Sequence, residues 1–229
     1  MGEIVLVRHA QAGFGQTNYD ELSPLGQQQA SALGQWWQKT AAFSHDTCVW
    51  TGTLCRQQQT AALALSATAL QTHIDSGLDE FDFSDILRQY RPDFATPEHI
   101  ASWLATQPQP YQAFQRVFTA ACEQWVQGTH DHCYQEPWAQ FQQRVTLSLN
   151  KMLAHSCRHH LVFSSGGVIA LIMAHALQLP PERSLSLNAV LWNTSISRLL
   201  YTQHQLSLLE FNSIAHLEVL GDRRWRSHR

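Results

Sequence analysis

The 229-residue chain carries little charge: Asp, Glu, Lys and Arg make up 14% of it, and the formal net charge is −3. Without a basic excess there is nothing to draw it to nucleic acid or to an anionic membrane surface, and neither is expected as a partner. No apolar run is long enough to span a bilayer. The opening Met1-Gly2-Glu3 has neither the basic region nor the cleavage site of a secretory leader, so a cytoplasmic protein is expected. Cysteine is scarce and odd in number: Cys48, Cys55, Cys122, Cys133 and Cys157 are scattered. That usage predicts free thiols in a reducing compartment rather than a disulfide framework. Repeats and low-complexity segments are absent. Arg223, Arg224, Arg226 and Arg229 form a basic end too short for a partner site, and it reads as solvated.

What the chain does have is 44% hydrophobic residues, enough for one large domain over 1–229. Ile4-Val5-Leu6-Val7 reads as a buried strand delivering Arg8 and His9 at its carboxyl end. Ser23-Pro24 reads as an N-cap followed by a helix with Ala30, Leu33, Gly34 and Trp37 on one face. Further strands are expected at Thr47–Thr51, Thr72–Asp75 and His160–Ser164. The helix from Leu54 carries Ala61, Ala62, Leu65 and Ala69 on its apolar side, and Gly166-Gly167 opens another that ends before Pro180. Val190–Tyr201 and Gln205–Phe211 read as a terminal antiparallel pair. Between about 91 and 151 the pattern turns helical, with Tyr111, Phe114, Val117, Phe118, Ala121 and Trp125 in one stripe and Trp138, Phe141, Val145, Leu149 and Met152 in another. Both stripes read as core packing. The alternation predicts an α/β protein: a three-layer αβα sandwich with a mostly parallel central sheet, and a helical insertion covering one of its ends.

Open α/β sheets place active sites at the carboxyl ends of their strands. A guanidinium beside an imidazole there can hold a phosphoryl group and attack it. Arg56 offers a second planar fork for phosphate oxygens. The helix at Gly166 adds backbone N–H groups and a positive dipole end. Taken alone, Arg8 and His9 would read as a strand-end ion pair and a packed histidine; the order of the other motifs displaces that reading. Leu6-Val7-Arg8-His9-Ala10, Leu22-Ser23-Pro24-Leu25-Gly26 with Gln29-Ala30, Thr51-Gly52-Thr53-Leu54-Cys55-Arg56 with Thr60-Ala61, Leu78-Asp79-Glu80-Phe81-Asp82-Phe83, and the strand entering Gly166-Gly167-Val168-Ile169 follow one another along nearly the whole chain. In this order they resemble the histidine phosphatase superfamily, the phosphoglycerate-mutase-like fold. The resemblance implies His9 as nucleophile, with Arg8, Arg56, Ser165 and Gly166 around the phosphate. Glu80 is then the acid that protonates the leaving alcohol, with Asp82 as substitute. Asp79 and Asp82 would raise the Glu80 pKa by like-charge repulsion. No metal or organic cofactor is implied, and the ligand is a small phosphorylated substrate or inorganic phosphate.

Three departures qualify the resemblance. Ala10 replaces the usual glycine after the histidine. Gly15 stands where mutases carry a substrate-binding asparagine, which argues against mutase activity. Ser164-Ser165-Gly166-Gly167 stands where the family reads Ser/Thr-His-Gly-Gly. Losing such a preorganised donor costs on the order of 10²–10³ in rate, roughly 3–4 kcal/mol. His216, His159 and His160 are substitutes by residue type only. The chain also resembles a bacterial branch of the superfamily with Ser-Gly-Gly here, through Asn193-Thr194-Ser195, Phe211-Asn212 and His216-Leu217. Two readings follow: a phosphomonoesterase, slowed by Ser165, working through a phosphohistidine at His9, or a non-catalytic phospholigand-binding protein. A serine nucleophile at Ser165 lacks the Gly-x-Ser-x-Gly elbow. His130-Asp131-His132-Cys133 has no matching second ligand pair and reads as chance clustering.

Overall fold

The computed structural model describes residues 1–13, 20–40, 46–203 and 205–228. It divides into two compact units, one made of 1–80 and 145–229 and the other of 81–144.

In the first unit, apolar β-branched runs form strands and the stripes between them form covering helices. The strands are β1 (Gly2–Arg8), β2 (Thr47–Thr51), β3 (Thr72–Ile74), β4 (His159–Ser164), β5 (Ile196–Tyr201) and β6 (Leu206–Ser213). They make one six-stranded sheet in the order β3-β2-β4-β1-β5-β6. β1, β2, β3 and β4 are parallel, whereas β5 runs antiparallel to both β1 and β6. Continuous apolar strands suit a sheet buried on both faces, and Ile4, Leu6, Val7, Leu161, Val162 and Phe163 are all fully buried.

Ser23 caps α1 (Pro24–Thr40), its Oγ accepting from Gly26 N at 3.0 Å. The expected stripe of α1 is buried: Ala30, Leu33, Gly34 and Trp37. It packs with α2 (Cys55–Ala64) through Leu33, Trp37, Ala61 and Ala64 in one core cluster under the sheet.

In the second unit, α3 (Phe83–Tyr90), α4 (Pro97–Ala105) and α5 (Pro110–Gln127) precede α6 (Trp138–Leu153), which crosses into the first unit at Val145. Phe81, Trp125, Trp138 and Phe141 form an aromatic cluster with ring centroids 4.9–5.6 Å apart. The α5 stripe is buried only at its end, Ala121 and Trp125, and Tyr111 is exposed. The chain then passes through β4 into α7 (Gly166–Ala176), α8 (Ser184–Val190) and, after β6, α9 (Ala215–Glu218).

Three expectations need correction. α2 ends at Ala64, so Ala69 falls beyond the helix on which it was expected, and Ala62 is exposed rather than on the buried side; Ala61 and Leu65 are buried as expected. The strand expected from Val190 begins at Ile196, because Val190 still ends α8 and residues 191–195 form a connection. Asn193 and Thr194 spend their polar groups there on the Arg8-His9 backbone, with Thr194 at φ 57°. The cysteines are not all thiols: Cys48 and Cys157 form a disulfide. Parallel pairing sets Cys48 opposite His160 and so brings together residues 109 apart in sequence, which spacing along the chain does not reveal. The arginines of the basic end, Arg223, Arg224 and Arg226, are exposed as expected, and the contacts inward come from the residues between and after them. Arg224 is paired with Asp222, whereas Trp225 O and Ser227 Oγ accept from Gln29 Nε2, and Ser227 Oγ donates to Asn193 Oδ1. Arg229 and Gly15 lie outside the described residues. Among the described residues, no helix is long and apolar enough to cross a membrane.

Candidate active site

Parallel register aligns the carboxyl ends of β1 and β4, with Arg8 opposite Ser164. His9 N donates to Ser164 O at 2.8 Å, and Arg8 N donates to Ser195 O. The Arg8 guanidinium donates to the Leu191 carbonyl. Just beyond β4, Gly166 begins α7 with Arg8 beside it: a Cβ on Gly166 would lie 3.5 Å from Arg8 Nε and only 2.1 Å from Asn188 Oδ1. A side chain at that turn would force Asn188 away, so glycine is what lets α8 and Arg8 close on the start of α7.

His9 is buried, and its tautomer follows from its neighbours. Nδ1 lies 2.8 Å from Ala10 O and carries the proton, because a carbonyl can only accept. Nε2 is left with a lone pair facing Arg56 Nε at 3.3 Å. Burial holds the His9 pKa well below 6.5, helped by Arg56 and Arg8 and opposed by the Ala10 carbonyl. The imidazole is therefore neutral near pH 7, the state a nucleophile needs.

Arg56 stands in the first turn of α2. Its Nη1 meets Asp20 Oδ1 at 2.6 Å, while Cys55 N donates to Asp20 Oδ2 at 2.8 Å. Ala10 N donates to Thr60 Oγ1 one turn along α2, tying the His9 loop to the helix that bears Arg56. Asn193 Nδ2 donates to His9 O at 3.1 Å from the other side.

Ser165 is fully buried, and its Oγ accepts from Gln57 Nε2 at 2.8 Å. The same amide donates to Leu78 O at 3.0 Å. Glu80 Oε2 accepts from Gly167 N at 3.0 Å, which brings its carboxylate to the α7 N-terminus. The two neighbouring aspartates have other work. Asp79 accepts from Thr53 N and Thr53 Oγ1, and Asp82 caps α3 through Ser84 N and Asp85 N.

The substitute histidines sort by position. His159 and His160 open β4, whereas Ser164 closes it, about 16 Å and about 13 Å further on respectively by strand rise. His216 is buried behind the His9 loop, with Nε2 3.0 Å from Thr194 Oγ1. Thr194 Oγ1 gives its own proton to Asn193 O, so His216 Nε2 is the donor in that contact. His130 and Asp131 to Cys133 lie in the second unit around a single 3₁₀ turn, with no described metal cluster including them.

Arg8, His9, Arg56, Ser165, Gly166 and Glu80 thus all belong to the first unit, at the strand ends and the starts of α2 and α7. Sequence reasoning missed Asp20 and Gln57. Gln57 lies between Arg56 and Thr60 of one motif, yet nothing in Gln57-Gln58-Gln59 marks one of the three amides. Asp20 follows a glycine-containing loop and has no local signature.

The fold recurs among solved structures. The α-ribazole phosphatase from Shigella flexneri aligns with a TM-score of 0.64 at 23% identity, covering 92% of this chain and 96% of that one. A variant phosphoserine phosphatase from Entamoeba histolytica, in complex with phosphoserine, aligns with a TM-score of 0.62 at 18% identity, covering 95% and 100%. A mycobacterial glucosyl-3-phosphoglycerate phosphatase gives 0.65 at 20% identity, covering 94% and 100%. No curated protein sequence matches the chain. The family model that fits residues 4–214 takes in every residue of the site just described, and by that match the chain belongs to the histidine phosphatase superfamily, branch 1.

Proposed function

We propose that this protein is a phosphomonoester hydrolase acting through a phosphohistidine on His9, with turnover slowed by Ser165. The observation that carries the reading is the state of His9: Nδ1–H held by Ala10 O, and Nε2 unprotonated 3.3 Å from a guanidinium. Arg8 and Arg56 would take the phosphoryl oxygens. The His9 Nε2 lone pair forms an N–P bond as the ester P–O bond breaks, and Glu80 gives its proton to the departing oxygen. Water then attacks phosphorus and loses a proton to the Glu80 carboxylate. The N–P bond breaks and neutral His9 returns. The chemistry needs no metal or organic cofactor.

Ser165 would contribute one neutral O–H donor and no charge. Its acceptor role toward Gln57 leaves its proton available. The substrate is a small phosphomonoester, as in the relatives named for phosphoserine and α-ribazole. The residue expected at Gly15 for mutase chemistry is lacking, so hydrolysis is preferred to mutase action. The helical unit 81–144 is read as an insertion within one phosphatase-like domain, and the setting as cytoplasmic.

The alternative, a phospholigand binder without turnover, is favoured by Ser165 alone. Incubation with an aryl phosphate separates the two readings. Steady hydrolysis is expected, with acid-labile phosphate on the chain, both lost in His9→Ala. Phosphate binding without turnover or labelling would instead establish the binder.

A further inference from the structure

At the other end of the sheet lies a cluster that the phosphatase reading does not use. Cys48 is on β2 and His73 on β3, while His155 and Cys157 lie in the turn between α6 and β4. His73 pairs with Trp50, two residues beyond Cys48, so Cys48 and His73 project from the same face. One ring nitrogen each of His73 and His155 and the Cys48 sulfur lie within 4.8 Å of one another. Cys157 is bonded to that same sulfur.

We propose that Cys48, Cys157, His73 and His155 bind zinc once the Cys48–Cys157 disulfide is reduced. Two thiolates and two imidazoles are a structural zinc set, closed and tetrahedral. With Zn–S near 2.3 Å and Zn–N near 2.0 Å, tetrahedral angles separate sulfur from nitrogen by about 3.6 Å. Cys48 Sγ already stands 3.6 Å from His155 Nδ1. The Cα atoms of the two cysteines are 6.1 Å apart, a spacing from which both sulfurs can face a common centre.

The rings are held in place. His73 stacks on Trp50 at 4.8 Å, and His155 meets Trp50 and His73 edge-on at 5.5 Å. His155 Nδ1 now accepts from Cys157 N, a hydrogen bond that metal binding would replace. His160 is excluded as a ligand because Trp50 Nε1 donates to its Nδ1 and the Tyr201 hydroxyl occupies its Nε2.

The redox balance is simple. A dithiol reductant supplies two electrons and two protons to the disulfide and becomes a cyclic disulfide itself. The two cysteine thiols then release their protons to solvent as the metal binds. Zinc and the disulfide are therefore exclusive alternatives, each joining β2 to the turn before β4, and zinc would also take in β3. Local spacing pointed to no metal because the ligands come from three separate segments. The role is structural and does not depend on the phosphatase reading: the cluster lies at the amino ends of β2 and β4, and Ser165 follows the carboxyl end of β4.

Untagged protein in a Cys133→Ser background, which removes an exposed thiol, is titrated with cobalt(II) before and after dithiol reduction. The reduced protein is expected to take up one cobalt per chain. It should show thiolate-to-cobalt charge transfer and the intense d–d bands of a tetrahedral site, bleached by zinc. His73→Gln should change the d–d bands, and Cys48→Ser should remove the charge-transfer intensity of one thiolate. The disulfide form of the same polypeptide should bind none, which gives a control even if a variant fails to fold. Equal uptake by reduced and oxidised protein, or a reduced spectrum without thiolate charge transfer, would overturn the proposal.

Discussion

Position 165 has a buried hydroxyl where the resemblance leads one to expect an imidazole, and a glutamine amide is bonded to it. Gln57 Nε2 donates to Ser165 Oγ and also to Leu78 O. Removing the hydroxyl would therefore leave the amide with one partner and remove one neutral donor from the site. A single neutral hydrogen bond contributes about 1 kcal/mol. Ser165→Ala is expected to lower kcat/KM on an aryl phosphate by tenfold or less, in contrast to the complete loss expected of His9→Ala. Steady-state kinetics on the two variants check this; a loss of a thousandfold would mean that Ser165 does far more than donate one bond. The residues around Ser165 also mark how far sequence reading reaches. Arg8, His9, Arg56 and Gly166 could be picked out because their types are scarce in such a pattern and their order is ordered along the chain. Asp20 and Gln57 could not, because each gains its role from a partner 36 or 108 residues away.

Among the elements, α1 and α2 show what a close helix pair requires. Gly34 faces Ala64, and a Cβ there would lie 2.6 Å from Ala64 O and 3.2 Å from Ala64 Cα. Those are backbone atoms, so the helices themselves would have to move apart. Overpacking of this kind costs about 1–3 kcal/mol, against a gain of up to about 1 kcal/mol from replacing a mid-helix glycine. Gly34→Ala is expected to lower the urea midpoint at unchanged m-value, with the α2 residue Arg56 displaced and activity reduced. A rise in the midpoint would show that the crossing yields easily. This contact was legible as one face of a helix, since Ala30, Leu33, Gly34 and Trp37 recur at helical spacing. β2 was legible to its ends because Thr47–Thr51 is a short apolar run between breaks. The start of β5 was not. Val190-Leu191-Trp192 has the composition of a strand, but the apolar signal cannot say that Asn193 and Thr194 will be spent on holding the Arg8-His9 backbone. The disulfide escaped for a related reason: it follows from strand order, and strand order is decided by the whole sheet.

For the molecule as a whole, buried histidines set how stability follows pH. His160, in β4, is pushed down to about 4 by burial and by His155, and two more lie behind and within the site. His216 is buried in α9 and pushed down to about 4 by that burial. His9 is held well below 6.5 by burial, Arg56 and Arg8. Well above pH 6.5 all three are neutral whether the chain is folded or not, and none adds a slope. Below 6.5 the unfolded chain takes up protons that the folded one refuses. Unfolding then binds protons, so stability falls with decreasing pH by about 1.4 kcal/mol per unit for each such group. For His216 the window closes at about 4, where the folded form also protonates. Asp75, which burial pushes up but the bonds to Gly77 N and Lys151 bring below 3.8 on balance, loses its own contribution only below that window. Urea unfolding of the disulfide-bonded protein at pH 7, 6 and 5 should therefore show a steady loss of stability. His216→Asn should reduce the slope by roughly 1.4 kcal/mol per unit, even if it lowers stability at pH 7 by removing the hydrogen bond to Thr194. An unchanged slope in that variant would mean that His216 protonates in place, and that the packing of α9 behind the His9 loop admits a charge.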